Sequence, residues 1–290
     1  MNFVTRFAPS PTGRLHLGHA WSALLAHDVA RREGGLLLLR IEDIDQTRCR
    51  PEYEAAIYED LAWLGIEWPE PVRRQSQHFA DYAAAVEKLR SLGVLYRCFL
   101  TRREIAEQAM SAPHAPGEGA EGIIYRGPPT PMSEDEELTR LARGESYAWR
   151  LSTKRSQDLL GEQFARLEFR ERDEATNAER TIAARPEMHG DVVLARKDTP
   201  ASYHLCVVHD DALQGVTHVI RGEDLRDATH VHALLQKLLG LPQPTYAHHR
   251  LLTDETGKRF AKRDRSLTLA ALREAGLSPA DIRARIGLPA

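Results

Sequence analysis

The chain has 290 residues, of which 42% are hydrophobic and 28% are charged, and its formal net charge is −3. This length predicts about two domains and suffices for a hydrophobic core without disulfides or a structural metal. No apolar run reaches the roughly 18 residues of a membrane span, and the N-terminus lacks the layout of a secretory signal. Three scattered cysteines are typical of a reducing compartment. We therefore expect a soluble, cytoplasmic α/β protein, and the small net charge excludes neither nucleotides nor nucleic acids as ligands.

The beginning of the chain alternates strand and helix patterns. Residues 2–8 predict a short strand, and apolar residues from 17 to about 32 recur at helical spacing. The continuous apolar run at 36–42 predicts a strand that is buried on both faces. This order predicts a βαβ unit of a parallel sheet, and helices are expected to follow at 51–65 and 78–92.

The middle of the chain interrupts this pattern. Residues 110–132 are rich in proline and glycine and predict a flexible loop, and residues 150–190 show no clear period. Regular patterning resumes at 191–196 and 216–225, and it continues with a helix near 227–239, a strand at 245–249 and two short helices in the tail. We predict one α/β domain formed by 1–95 and 191–264, an inserted domain over 96–190, and a helical tail over 265–290.

The segment RFAPSPTGRLHLGH, residues 6–19, is the first candidate site. A strand ends there, a proline-rich turn follows, and His16, Gly18 and His19 fall where the first helix begins. Backbone N–H groups at a helix N-terminus, together with imidazole donors, suit the phosphates of a nucleotide. Gly18 would let adenine or ribose approach the backbone. The alternative is a pair of solvated or turn-capping histidines, but the position after the first strand favours a phosphate site.

The segment TGKRFAKRD, residues 256–264, is the second candidate site. It places Lys258, Arg259, Lys262 and Arg263 on a loop that contains a glycine. Most basic runs are solvated surface loops. Together with the histidine motif, however, this one predicts a cationic clamp for β- and γ-phosphates, in which lysine acts as a mobile point charge.

These two segments resemble the signature motifs of class I aminoacyl-tRNA synthetases, the second in a variant form with Phe260 and Ala261 at its centre. Four stretches strongly resemble the catalytic core of glutamyl-tRNA synthetase: RFAPSPTGRLHLGHA, LLLLRIEDIDQTR, YHLCVVHDDALQGVTHVIRGEDL and GKRFAKRD. They lie between residues 6 and 264, so the resemblance covers most of the chain. It implies an α/β fold with a Rossmann-like parallel sheet that binds nucleotide, an inserted α+β acceptor-type domain and no anticodon-binding domain.

Two features resemble the free-standing glutamyl-queuosine tRNA(Asp) synthetases more than the full-length glutamyl enzymes. No helical anticodon-binding domain follows the second motif, and Val207 stands where the full-length enzymes usually carry asparagine. This resemblance implies that the protein uses ATP, with Mg²⁺, to convert L-glutamate to glutamyl-adenylate. It further implies transfer of glutamate to queuosine at the wobble position of tRNA(Asp), by a monomer that has no contact with membranes.

The resemblance also implies a glutamate site. Arg6, Ala8 and Ser10 match the segment that grips the amino acid, and Arg6 contacts a carboxylate. Glu42 matches the acceptor for the α-ammonium group, and two further residues close the pocket from the other side, Tyr203 and Arg221. These residue types suit a substrate with two carboxylates and one ammonium group. Without the motifs, Glu42 would be interpreted as a surface acid and Tyr203 as a core aromatic.

For the ATP site, the resemblance implies contacts from three residues of the first motif, His16, Gly18 and His19, and three of the second, Arg259, Lys262 and Arg263. Within this set, His16, His19 and Lys262 are the implied catalytic residues, because they stabilise phosphate charge as the reaction proceeds. The remaining histidines, including His230, His232, His248 and His249, have no carboxylate or cysteine motif beside them, and we interpret them as structural or solvated.

The sequence departs from the family at its zinc site. Many members bind a structural zinc through a CxC pair, a later tyrosine and a further cysteine. Here Leu100 replaces the second cysteine of the pair and proline replaces the last, so that only Cys98 and Tyr125 remain. A thiolate and a phenol cannot complete a four-coordinate site, and His114 is an unpersuasive substitute. The sequence therefore argues against zinc.

Three alternatives remain open. A truncated glutamyl-tRNA synthetase that charges tRNA(Glu) is disfavoured by Val207 and by the missing anticodon domain. A different HxGH nucleotidyltransferase would need no glutamate pocket, so RIEDID and VIRGEDL argue against it. A non-catalytic RNA-binding paralogue would be expected to lose its ATP motifs, yet His16, His19 and Lys262 are present. Contacts with tRNA phosphates would come from basic residues such as Arg102, Arg103, Lys154 and Arg155, although we interpret any single one of them as part of a solvated surface.

Overall fold

The structure is a computed structural model that describes residues 3–111, 118–119, 122–128, 130–174, 176–196, 200–252 and 268–289. The strands in these ranges are β1 (Val4–Phe7), β2 (Leu36–Ile41), β3 (Arg73–Arg74), β4 (Leu95–Cys98), β5 (Glu118–Gly119), β6 (Gly122–Ile123), β7 (Ala148–Leu151), β8 (Glu168–Arg172), β9 (Glu179–Ala183), β10 (Val193–Arg196), β11 (His218–Gly222) and β12 (Thr245–His249). The α-helices are α1 (Leu17–Arg32), α2 (Pro51–Trp63), α3 (Phe79–Ser91), α4 (Arg102–Ser111), α5 (Glu134–Ala142), α6 (Thr153–Leu160), α7 (Glu162–Ala165), α8 (Tyr203–Leu213), α9 (Ala228–Leu239), α10 (Leu269–Glu274) and α11 (Pro279–Ile286).

The central sheet is parallel around its first strand, as predicted. Strand β2 pairs in parallel with β1 on one side and with β3 on the other. The Thr217 N–H donates to the carbonyl of Val4 at 2.9 Å, which places β11 on the free side of β1. Strand β12 continues the sheet in parallel beyond β11. The strand order therefore reverses at β1, and open α/β sheets bind their ligands at the carboxyl ends of the strands beside such a point.

Most of the predicted elements are confirmed. Helix α1 and strand β12 occupy the predicted ranges, and two short helices form the tail. The sequence pattern did not predict helix α8, although the apolar residues in its first half, 205–208, are buried. Its buried side chains include His204, Asp210 and Asp211 as well as the apolar run between them, so no single apolar face marks it as a helix.

The predicted division at residues 96–190 stays a prediction, and strand pairing departs from it at two places. Strands β8 and β9 lie within the predicted insert but extend the sheet that contains β11 and β12. Strand β10 lies outside the insert, yet it forms an antiparallel sheet with β7 and β4. The predicted loop over 110–132 falls partly outside the described residues, and within it β5 pairs with β6.

One carboxylate in the core meets no hydrogen-bond donor among the described residues. Both oxygens of Asp60, on α2, are buried, and a guanidinium nitrogen of Arg273, on α10, lies 3.6 Å from one of them. Burial is the main cause that raises the pKa of Asp60 to about 6 from a usual 3.8. Since the unfolded chain ionises at the lower pKa, this carboxyl stabilises the fold fully below about pH 4, and that contribution is lost as the pH rises to about 6.

We therefore expect Asp60→Asn to be more stable than the wild type at pH 7.5, by about 1–2 kcal/mol. The difference should vanish near pH 4, where both side chains are neutral. Thermal unfolding of both proteins across this pH range is the measurement. A variant that unfolds at a lower temperature than the wild type at pH 7.5 would show that the Asp60–Arg273 attraction outweighs the cost of burial.

Within the described part of the chain, no helix combines the length and the apolar character that crossing a membrane requires.

Candidate active site

One wall of the site is formed by charged side chains at the carboxyl ends of β1 and β2. Asp211, on α8, accepts hydrogen bonds from Arg6 Nε at 3.1 Å and from Arg40 Nη1 at 2.8 Å. Arg40 is completely buried, and its Nη2 donates to Glu42 at 3.2 Å. Asp211 thus connects two predicted glutamate-binding residues, Arg6 directly and Glu42 through Arg40.

Two charged groups of this wall, the Arg6 guanidinium and the Glu42 carboxylate, match the carboxylate and the ammonium group of an amino acid. Arg6 makes its hydrogen bond through Nε, and its terminal nitrogens meet no acceptor among the described residues. They remain available to a carboxylate. Burial raises the pKa of Glu42, while the charges of Arg40 and Arg6 oppose that rise. An ammonium group placed beside Glu42 would favour its ionised form further.

The opposite wall contains Tyr203, the first residue of α8, and Arg221, on β11. All five N–H donors of this buried guanidinium point at protein acceptors. Nε donates to His248 at 3.3 Å, Nη1 to His232 at 3.3 Å and to the Tyr203 hydroxyl at 3.5 Å, and Nη2 to Thr229 at 2.7 Å and to the carbonyl of Leu225 at 3.0 Å. The contact between Nη1 and the Tyr203 hydroxyl is the longest of the five, so a substrate carboxylate would most readily replace that one.

The histidines behind Arg221 are buried and hydrogen-bonded. His232 Nδ1 faces Arg221, and its Nε2 lies 3.2 Å from His204 Nδ1. Burial, together with the charge of Arg221, holds the pKa of His232 well below its usual range. The expectation that His248 lacks a carboxylate partner is wrong, because its Nδ1 lies 2.8 Å from Glu171. Glu171 stands on β8, 77 residues earlier in the chain, so no local motif marked the pair.

The predicted phosphate motif forms the N-terminus of α1. His16 is the N-cap residue and accepts a hydrogen bond from the Gly18 N–H at 3.1 Å, while His19 accepts one from the His16 N–H at 3.2 Å. Both bonds end on Nδ1, which leaves Nε2 as the donor nitrogen of each neutral ring. A Cβ atom on Gly18 would lie 3.0 Å from the His16 ring, so glycine makes room for this cap. Arg259, Lys262 and Arg263 lie outside the described residues.

A cavity of about 790 Å³ opens between these walls and the segment that contains β7 and β10. Three of the predicted glutamate-site residues line it, Ser10, Glu42 and Tyr203. Arg6 and Arg221 stand behind this lining but near enough to influence the pKa of Tyr203, which burial raises. Ala8, half-buried, follows directly after β1. The size is typical of a site for a ligand as large as a nucleotide.

Four arginines that line the cavity were not predicted as residues of the glutamate or ATP site. They are Arg48, Arg102, Arg150 and Arg196. Arg102 was suggested only as a possible phosphate contact. Of the other basic residues suggested for that role, Arg103 and Lys154 face acidic neighbours on their own helices, and Arg155 donates to the carbonyl of Leu95 at 2.9 Å.

Cys98 and Tyr125 are neighbours, as the resemblance to the family implies. Burial, with a smaller contribution from Cys98, raises the pKa of the Tyr125 phenol to about 12. Among the described residues, no three histidine, cysteine or acidic side chains are grouped closely enough to hold a metal, and His114 lies outside them. These residues do not fit a zinc site. Asp191 instead connects strand β4 with the start of helix α6, because it accepts hydrogen bonds from Tyr96 and Thr153, both at 2.9 Å.

We accordingly expect that dialysis against a chelator leaves the melting temperature unchanged. A zinc site would need four ligands, and its loss would unfold the part of the chain that it holds. Differential scanning fluorimetry before and after dialysis, with elemental analysis of the purified protein, makes the test. One equivalent of bound zinc, or a melting temperature that falls with chelation, would contradict the expectation.

Comparisons with known proteins assign the chain to a family. A sequence profile for the family "tRNA synthetases class I (E and Q), catalytic domain" matches residues 2–288. A protein of Rhodobacter capsulatus named glutamyl-Q tRNA(Asp) synthetase is 50% identical, covering 98% of this chain and 100% of its own length. A protein of the same name from Nocardia farcinica is 42% identical, covering 98% of this chain and 85% of its own.

The crystal structure of a glutamate-tRNA synthetase from Elizabethkingia anophelis superimposes with a TM-score of 0.71 at 27% sequence identity. The match covers 91% of this chain and 53% of that one, so the chain spans about half the length of that solved structure. The profile match extends over nearly every residue of this chain, including both walls of the cavity. The chain therefore belongs to the class I tRNA synthetases of the E and Q type and carries the catalytic domain of that family.

Proposed function

We propose that this ligase activates L-glutamate with ATP and transfers it to queuosine at the wobble position of tRNA(Asp). The observation that carries the first half is one cavity lined by Glu42 and Tyr203, with Arg6 and Arg221 close behind that lining. The pocket offers two guanidiniums, one carboxylate and one phenol, which match the two carboxylates and the ammonium group of glutamate.

In the first step, the α-carboxylate of glutamate attacks the α-phosphate of ATP, pyrophosphate leaves, and glutamyl-adenylate forms. The residues of this chain contribute position and charge. The Arg6 nitrogens would hold a carboxylate and Glu42 the ammonium group. The Nε2 donors of His16 and His19 would stabilise the charge that develops on the α-phosphate. Lys262, with Arg259 and Arg263, would hold the departing phosphates.

The proposal includes Mg²⁺ as the companion of ATP. The described residues contain no cluster of three histidine, cysteine or acidic side chains that could hold the ion by themselves. Phosphate oxygens and water would therefore supply most of its ligands, as Mg²⁺ commonly requires in nucleotide sites.

The choice of acceptor rests on the relatives and on Val207. The similar protein from Rhodobacter capsulatus that is named glutamyl-Q tRNA(Asp) synthetase matches this chain from end to end. Val207 lies one helical turn after Tyr203 on α8, and it is buried. It gives this position an apolar side chain, where the resemblance to the full-length glutamyl enzymes would place an amide. We take the protein to act as a monomer.

Glutamate-dependent ATP–pyrophosphate exchange without tRNA tests the first step. Transfer of labelled glutamate to tRNA(Asp) with and without queuosine, and to tRNA(Glu), tests the second. Exchange without RNA and transfer only to queuosine-containing tRNA(Asp) are the expected results. Exchange that requires tRNA(Glu), with esterification of its 3′ end, would instead identify an enzyme that charges tRNA(Glu).

A further inference from the structure

The buried side of Arg221 makes a contact that determines the protonation of a histidine. Arg221 Nε lies 3.3 Å from His248 Nε2, and a guanidinium can only donate. His248 Nε2 must therefore accept, so the ring is neutral and its proton resides on Nδ1. That proton points at Glu171, whose oxygen lies 2.8 Å away.

Glu171 is well suited to hold this tautomer. It is buried on β8 and also accepts hydrogen bonds from Arg226 and Arg180, each at 2.6 Å. Although burial disfavours its charge, hydrogen bonds from His248 and Arg180 and the charge of Arg226 keep the pKa of Glu171 below its usual value. A carboxylate that stays ionised accepts from Nδ1–H and so leaves Nε2 of His248 as an acceptor.

His248 is held neutral by its surroundings. Burial first, and then the charge of Arg221, lower its pKa to about 4, although Glu171 acts in the opposite direction. The Thr229 hydroxyl lies 3.2 Å from the same Nε2, and the ring of Tyr246 stacks on the imidazole at 6.2 Å. The ring therefore presents a fixed acceptor to Arg221 at neutral pH.

We propose that His248, oriented by Glu171, is a positioning residue that aims the Nη1 edge of Arg221 at the glutamate pocket. The inference rests on the proposed function, in which Arg221 binds a substrate carboxylate. The Nε and Nη2 donors of Arg221 are held from behind by His248, Thr229 and the Leu225 carbonyl. Of the five partners of Arg221, only the Tyr203 hydroxyl, 3.5 Å from Nη1, belongs to a residue that lines the cavity, so Nη1 is the nitrogen that a carboxylate would reach.

This role predicts an effect on glutamate binding that loss of stability alone would not produce. His248→Leu removes the acceptor, and we expect the KM for glutamate in pyrophosphate exchange to rise about ten- to hundredfold. The KM for ATP and the kcat should change little. His248→Gln keeps one acceptor and one donor, and it should restore most of the affinity.

His230→Leu is the matched control. This histidine lies on α9, accepts a hydrogen bond from the Arg185 N–H at 3.0 Å and packs on Phe169, but it makes no hydrogen bond to Arg221. Its replacement should lower the melting temperature without changing the KM for glutamate. If His248→Leu does not fold, the KM for glutamate is measured in Glu171→Gln instead, because this substitution conserves volume. We expect it to raise the same KM several-fold, because an amide no longer enforces the tautomer.

The outcomes separate the two proposals. A wild-type chain that shows no glutamate-dependent exchange would overturn the proposed function and this inference with it. Normal exchange by the wild type, with an unchanged KM for glutamate in folded His248→Leu or in Glu171→Gln, would overturn the inference alone. Equal rises in the KM for glutamate and for ATP would also overturn it, because they would indicate general disruption.

Discussion

Replacing Arg6 with alanine is expected to abolish measurable glutamate-dependent pyrophosphate exchange while leaving the fold intact. The substitution removes the terminal nitrogens that meet no acceptor among the described residues. Two charge-assisted hydrogen bonds to a carboxylate contribute about 1.5–3 kcal/mol each, so the loss in kcat/KM is on the order of a thousandfold. The loss of one buried charge should lower the melting temperature, but the fold should survive because Asp211 keeps its hydrogen bond from Arg40.

Arg283→Ala is the control for this experiment. That arginine donates to Asp28 through both terminal nitrogens, at 2.8 and 2.7 Å, on the outer side of α1. Its loss removes an arginine–aspartate pair of the same kind without touching the cavity, and exchange should stay at the wild-type rate. Wild-type exchange in Arg6→Ala would show that the glutamate pocket lies elsewhere. If the alanine variant unfolds, pyrophosphate exchange is measured in Arg6→Lys instead, since this substitution keeps the charge.

Replacing Asp211 with asparagine is expected to damage stability and activity together. Asp211 accepts from two arginines at once, and both Asp211 and Arg40 are buried. Removing one charge from a buried network typically costs about 3–5 kcal/mol, because the remaining charges lose their compensation. Arg6 and Glu42 would also lose the connection that fixes their separation.

Thermal unfolding and pyrophosphate exchange together test this prediction. We expect a melting temperature lower by roughly 10 °C for a chain of this size. The KM for glutamate should also rise in the protein that remains folded at low temperature. Asp28→Asn, which weakens a half-buried pair with Arg283, should change the melting temperature far less and the KM not at all. Equal changes in melting temperature and in the KM for glutamate for the two substitutions would show that Asp211 does not organise the site.

Local sequence patterns predicted helices that bury one apolar face and strands that consist of a continuous apolar run. The apolar spacing of α1 and the run of β2 were sufficient, because each pattern matches the period of its own backbone. Helix α8 was not predicted, since residues 204–208 are buried without interruption and two aspartates, Asp210 and Asp211, are buried as well. Arg40 could have signalled the network, because an arginine within an otherwise apolar strand needs a buried partner.

By itself, the sequence determined the βαβ opening and the histidine pair at the N-terminus of α1, because both depend on neighbours within a few positions of the chain. The residues proposed for the glutamate pocket came from the resemblance to a known family, since they are spread from residue 6 to residue 221. The tertiary structure alone decided that Asp211 connects Arg6 with Arg40, and that Glu171 fixes the tautomer of His248. Arg6 and Asp211 are 205 residues apart, and Glu171 and His248 are 77 apart. Such contacts depend on which strands become adjacent and in what register, and packing of the whole sheet sets both.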